Sequence, residues 1–271
     1  MTLWIDFPPC LFFSLSFFVF SLSPHKLCIQ HLKMSKPKGY IIDRGLSPID
    51  GQPFVVIMTM ESSNVKTGNM CQVWILREDI HPVEALQTGA DYSICGNCPH
   101  RYKLVDGKLI RSCYVNVGQA PSAVWKSYKR GLYKELDAEI NLSVLLNNRK
   151  IRWGAYGDPA IINPDVVKTL NLFAAGHTGY THQWREDFAQ PFVGVFQASC
   201  DGIRDYLEAS AHGWKTFAVV PKGQQAFSGK QCPATVENSS AQCRTCALCD
   251  GAKQDVFVEA HGTGAKHFAG V

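Results

Sequence analysis

The sequence predicts an α/β fold: a full or partial (β/α) barrel-like parallel sheet with an N-terminal β-rich section and cysteine-rich loops. Three observations predict it. Short β-branched, apolar runs begin near residue 40, a strand–loop–helix rhythm sets in at residue 150, and seven of the cysteines fall into two tight groups.

Residues 40–42, 54–60 (FVVIMTM) and 72–76 read as strands. Between them, the polar loop 61–70 (ESSNVKTGNM) carries Asn64, Lys66, Thr67 and Gly68, which meet a ligand or simply turn the chain. Residues 80–87 read as a short helix. The block 91–118 holds the knuckle Cys95-Gly96-Asn97-Cys98 followed by Pro99, and residues 105–108 (VDGK) form a hairpin turn that returns Cys113 to the knuckle. A helix starts near Pro121, and apolar spacing through Leu136, Ile140, Val144 and Leu145 predicts helix over 132–147. The rhythm then runs through a strand at 151–156, the turn Gly157-Asp158-Pro159 and a helix over 165–174 capped near Asn163-Pro164. Strand and loop over 177–184, a strand at 192–199, a helix at 203–212 ended by Gly213, and strands at 216–220 and 255–260 complete it.

The organising stretch is 231–251, with Cys243, Cys246 and Cys249 at three-residue steps and Cys232-Pro233 upstream. A thiolate every third residue lets one tight loop present three sulfurs to a single centre, as in a ferredoxin loop with its distant Cys-Pro. Zinc competes, because four thiolates also satisfy a tetrahedral ion. Cys95, Cys98 and Cys113 supply three more thiolates; on a [4Fe-4S] cluster they would leave one iron without a protein ligand, and that open iron would be the chemical site. The rival is a zinc knuckle completed by His100, Cys71 or another histidine. The expected cofactors are therefore iron–sulfur clusters, with zinc as the alternative. Such clustering of thiols among 11 cysteines suits a reducing compartment, hence a cytoplasmic location.

In a parallel α/β sheet, function gathers at the carboxyl ends of strands, which selects Asp158, Tyr180, His182, Trp184, Arg185, Cys200 and Asp201. Asp158 would orient a cationic or hydroxyl group, His182 would move a proton and Arg185 would hold a carboxylate or phosphate, with Tyr180 and Trp184 as cofactor contacts. Each singly also reads as a structural hydrogen bond. His261 to His267 forms a glycine-rich stretch that suits an anion or a flexible tail.

With 271 residues, 46% hydrophobic and 18% charged, the chain can bury a large core; a net charge of +4 is far from the dense basic face of a dedicated nucleic-acid binder. No G-x4-G-K-[ST], H-E-x-x-H or G-x-S-x-G occurs, which removes the local signatures of nucleoside-triphosphate hydrolysis, zinc proteolysis and α/β-hydrolase chemistry. Residues 1–33 hold an apolar run over 10–22 without a basic n-region, and two readings stand: an upstream extension before a start at Met34, or a signal-like segment. Residues 34–271 are then a single α/β metal-binding domain, with no stable membrane insertion expected.

Together, Cys95, Cys98, Pro99, Arg101, Cys113-Tyr114, Gly157-Asp158-Pro159, the stretch 178–184 (TGYTHQW), Gly213-Trp214 and Cys232-Pro233-Ala234 with Cys243, Cys246 and Cys249 resemble a cysteine-cluster family of bacteriophages and some bacteria, over about residues 39–262. That family brings no assigned activity; the resemblance implies a metal-bearing fold and a phage or bacterial cytoplasm. More loosely, the chain is similar to radical S-adenosylmethionine enzymes, which implies S-adenosylmethionine and a redox or radical-type reaction on a small or nucleotide-like substrate. It departs from their C-x3-C-x2-C spacing, because Cys113 follows a hairpin, and it shows no Gly-Gly-Glu-like segment. The alternative from another class is a zinc-stabilised structural or nucleic-acid-binding protein without catalysis.

Overall fold

A computed structural model describes residues 37–226, 228–261 and 264–268, which belong to one compact unit. Residues 1–33, with their two readings, lie outside the described residues, as do Gly262 and Thr263 of the glycine-rich stretch.

The expected opening strands form an antiparallel meander of β1 (Gly39–Leu46), β2 (Pro53–Thr59) and β3 (Cys71–Arg77), with Ile57 opposite both Ile41 and Trp74. Helix α1 (Pro82–Thr88) starts where His81 accepts from the Val83 amide and stops at Gly89 in the left-handed region. A single turn, α2 (Tyr92–Cys95), delivers the first knuckle cysteine. The predicted hairpin is present as β4 (Lys103–Val105) and β5 (Lys108–Ile110), and Asp106 and Gly107, at φ 49° and 72°, make the two-residue turn whose twist suits a hairpin.

Helix α3 (Ala120–Lys129) follows, but the long helix predicted over 132–147 does not form. The chain instead adds β6 (Lys134–Glu135) parallel to β1, and only α4 (Leu142–Leu145) is helical. Asn141 explains the late start: its side chain accepts from the Ser143 and Val144 amides and so caps the helix there. Beyond it come β7 (Ile151–Tyr156), α5 (Pro164–Phe173) capped by Asn163, β8 (His177–Thr178) and β9 (Tyr180–Thr181). The strand predicted over 192–199 is confined to β10 (Gln197–Cys200), because residues before it form a 3-10 turn ending at Phe192. Helix α6 (Ile203–Ala211), β11 (Thr216–Val220), β12 (Lys230–Gln231), α7 (Cys243–Cys246) and β13 (Val256–Glu259) complete the order.

The fold is thus α/β, with two sheets. The first runs β6-β1-β2-β3-β7-β8 and is parallel from β3 onward; the second runs β12-β13-β11-β10-β9 and is parallel throughout. One extended segment belongs to both: β8 pairs with β7, β9 pairs with β10, and Gly179 stands between. Any side chain there would collide, since a Cβ on Gly179 would lie 2.6 Å from the Phe196 ring and 3.1 Å from Trp153. No ladder joins β6 to β12 among the described residues, so the sheets stay open and the full barrel does not close.

Alternation along the parallel strands divides two environments. Trp153 and Ala155 of β7, Ala198 and Cys200 of β10, and Ala218 of β11 are buried. The intervening positions Arg152, Gly154 and Tyr156, then Tyr180, His182, Ser199, Phe217 and Val219, line a cavity.

Candidate functional site

The cavity has a volume of about 390 Å³, and its wall carries Cys95, Cys98 and Cys113 as well as Cys232, Cys243 and Cys249. All nine described cysteines are unbridged thiols. Burial, then Asp91, Cys98 and Cys113, pushes the Cys95 thiol well above its ordinary range. Burial does the same for Cys249, followed by Cys232, Cys243 and Cys246. Cys95 and Cys113 feel other members of the first group, and Cys232, Cys243 and Cys249 feel other members of the second.

The knuckle is held by side chains. Gly96, at φ 52°, lies so close to Gln183 that a Cβ would meet its amide oxygen at 2.2 Å. The same amide donates to the Cys95 carbonyl at 3.1 Å and accepts from the Asn97 amide at 3.4 Å. Below it, Arg101 donates to Asp91 at 2.5 Å and to the Gly89 carbonyl at 2.9 Å. Removing one partner of so shielded a pair typically costs about 3–5 kcal/mol. Cys113 comes back from the hairpin with its amide bonded to the His100 carbonyl at 3.1 Å.

Backbone bonds hold the second group. The Cys232 amide donates to the Phe257 carbonyl, the Cys243 and Arg244 amides donate to the Lys66 and Thr67 carbonyls, and Gly179 donates to the Cys249 carbonyl at 2.9 Å. Loop 61–70, ambiguous in the sequence, is the cradle of α7. All four thiols line a second recess of about 20 Å³ with Leu248 and Val256.

Next to the knuckle, His100 bonds Asp201 at 2.8 Å and Ser112 at 2.8 Å, while His182 Nε2 lies 3.4 Å from the other Asp201 oxygen without the alignment of a hydrogen bond. Among the described residues, these three form the only set of metal-ligating side chains whose ligand atoms all lie within 4.8 Å of one another. Burial opposes charge on both His182 and Asp201. On His182, the neighbouring Cys98 and Asp201 outweigh it and raise the pKa well above the ordinary value; on Asp201, the two histidines outweigh it and lower the pKa.

The other expected residues separate. Asp158 lines the cavity, but its carboxylate accepts from Thr181 Oγ1 (2.6 Å) and from the amides of Ala160 (3.0 Å) and His182 (2.8 Å), so it fixes the strand end that carries His182. Burial pushes its carboxyl up despite those donors. Tyr180 lines the cavity, stacked on Phe217 with ring centroids 4.2 Å apart. Trp184 is buried outside it and bonds the Ser199 carbonyl. Arg185 lies over Trp184 and pairs with Asp205 and Glu208 of α6, also away from the cavity. Cys200, offered by the strand-end rule, is buried as a small apolar residue.

Three cavity residues were not selected as site residues from the sequence, Arg152, Tyr114 and Tyr156, nor was Gln183, which braces the knuckle. Alternation in residues 151–156 would have placed Arg152, Gly154 and Tyr156 on one face.

The donor chemistry fits a metal group, since the thiols of both sets are unbridged. Zinc–thiolate bonds of about 2.3 Å put tetrahedral sulfurs roughly 3.8 Å apart. No three described cysteine sulfurs lie within 4.8 Å of one another, so a single tetrahedral ion would have to draw them together. The hydroxyls of Tyr156 and Ser199, both on residues 4% exposed and on the cavity wall, have no hydrogen-bond partner, nor does His182 Nε2. Buried polar atoms are rarely left so, and these three lie behind the cavity wall, His182 Nε2 against Asp201. No helix among the described residues is long and apolar enough to cross a membrane. No family model, curated protein or solved structure matches this chain.

Proposed function

We propose that this chain is an iron–sulfur enzyme of redox or radical type, with Cys95, Cys98 and Cys113 holding a [4Fe-4S] cluster and Cys232, Cys243, Cys246 and Cys249 holding a second. One observation carries the reading: three unbridged thiols and, in a separate group, three of a further four border one cavity, while the fourth, Cys246, lines the small recess beside it. Iron–sulfur clusters supply one-electron transfer, and an iron with no protein ligand supplies a place to bind a small molecule.

The chain's own residues do the rest. Gln183 fixes the backbone between the first two thiols, and Arg101 with Asp91 fixes the turn beneath them. Asp158 aims His182, which stands between Cys98 and Asp201 and is held ready to carry a proton. Burial keeps Cys95, Cys113, Cys232, Cys243 and Cys249 protonated until a metal ionises them. S-adenosylmethionine or a nucleotide-like substrate as occupant, a redox partner, and a phage or bacterial cytoplasm as the setting belong to the same reading.

Anaerobic purification tests it. A brown protein with iron and sulfide matching two four-iron clusters, and a spectroscopic response of one cluster to S-adenosylmethionine, is the expected result; a colourless protein carrying zinc overturns it. The second reading, a zinc-stabilised structural or nucleic-acid-binding protein, is favoured by the small size of the recess among the C-terminal thiols, about 20 Å³.

A further inference from the structure

Arg152 brings a positive charge into the cavity wall, and among the described residues no carboxylate lies within 4.0 Å of it. Its guanidinium donates to the Tyr114 hydroxyl at 2.5 Å and lies 3.4 Å from the Tyr180 hydroxyl, and the two phenols are 2.9 Å apart. Neutral phenols do not neutralise a cation, so this half-buried guanidinium in a concave wall is free to take an anion. The same strand continues inward with Gly154, which leaves its middle bare, and Tyr156, whose buried hydroxyl lacks a partner; Ser199 on β10 lacks one too. The cation lies on the cavity wall, together with Phe217 stacked on Tyr180. A volume of about 390 Å³ suits a small organic molecule.

We propose that the cavity binds a small organic oxyanion, its phosphate or carboxylate seated on Arg152 between Tyr114 and Tyr180. This rests on the reading of the cavity as an enzyme site and names the class of its substrate. The charged end fixes position through charge-assisted hydrogen bonds to the Arg152 guanidinium and the two phenols.

Calorimetric titration of the full chain, purified anaerobically, tests the proposal with adenosine monophosphate and with succinate, which separate a phosphate from a carboxylate source. One of the two is expected to bind one-to-one; Arg152→Gln weakens it about tenfold or more and Tyr180→Phe by a smaller factor, with iron and sulfide unchanged. Tyr180→Phe keeps the ring on Phe217, so it carries the test should Arg152→Gln not fold. Failure of the wild type to bind either anion, or binding unchanged in both variants, overturns the proposal. So does loss of iron in Arg152→Gln without a separate loss of binding in Tyr180→Phe, which would make Arg152 a partner of Cys243 instead. A wild-type protein that holds no iron yet loses anion binding in the variants sinks the cluster reading and leaves this one standing.

Discussion

The two thiol groups border one cavity and are built in opposite ways. Cys95 ends a single helical turn, Cys98 follows it and Cys113 follows the hairpin, and this group is braced by side chains, Gln183 from beyond one strand end and the Arg101–Asp91 pair from below. Cys232, Cys243, Cys246 and Cys249 are fastened by main-chain bonds to β13, to loop 61–70 and to Gly179, against the apolar Val256 and Leu248. Main-chain fastening resists substitution and makes the second group part of the scaffold. Side-chain bracing leaves the first group adjustable, and it is this group that borders the unpartnered Tyr156 hydroxyl and the His182–Asp201–His100 chain. Under the proposed function, that difference suits the four-sulfur site to support and the three-sulfur site to chemistry.

The largest effect should come from the four-sulfur site. Where a preformed site is absent from the unfolded chain, metal binding is folding free energy, so Cys246→Ser with Cys249→Ser should lower Tm by about 10 °C or more and remove one centre. Calorimetry with metal analysis checks it. Cys113→Ser, by contrast, should abolish any reaction and the other centre's signal while moving Tm by less than about 5 °C, since Cys113 lies outside the helices and strands. Equal losses of stability in the two variants would erase the distinction between support and chemistry.

Much of this arrangement was legible in the sequence. Cysteine spacing marked both groups, and Asp106-Gly107 gave the hairpin that brings Cys113 home. The strand-end rule found Asp158, Tyr180 and His182 at the cavity. It also selected Trp184 and Arg185, which the chain turns outward after His182, one into the core and one onto α6, where two carboxylates await it. Nothing in a single residue type announces that turn. Arg152 was missed for the opposite reason: it lies at the start of β7, and the cavity uses the whole inner face of the sheet rather than strand ends alone. The long helix expected over 132–147 failed because apolar spacing ignored a cap, Asn141, in its middle. Loop 61–70 could not be read as the cradle of α7, since the bonds run through its carbonyls and any sequence supplies those.

A smaller effect isolates the brace. Gln183→Ala removes both the bond to the Cys95 carbonyl and the bond from the Asn97 amide, and leaves every thiol in place. Groups that orient metal ligands commonly set affinity by tenfold to a hundredfold, so the three-sulfur centre should lose its metal to a chelator about tenfold faster or more, while the four-sulfur centre keeps its rate. Parallel loss from both centres would mean that they are coupled through the cavity rather than independently held.

The smallest expected effect is one of pH, on the scaffold side. His177, in the segment shared by the two sheets, donates Nε2–H to the Val195 carbonyl at 2.9 Å, and burial lowers its pKa from the ordinary 6.5. The folded state therefore binds this proton more weakly than the unfolded chain, so stability is complete above the ordinary value and is lost as pH falls below it toward the depressed one. Between pH 7.5 and 5.5 the wild type should lose roughly 2 °C of Tm more than His177→Gln, which keeps a donor and does not titrate. Hydrogen exchange locates the loss. Gly179 lies two residues on and holds the Cys249 carbonyl, so acid should speed exchange at Gly179 before it touches the amides of Gly96 and Cys98. Faster exchange at the knuckle first would reverse the assignment, making the three-sulfur side the one that the shared segment supports.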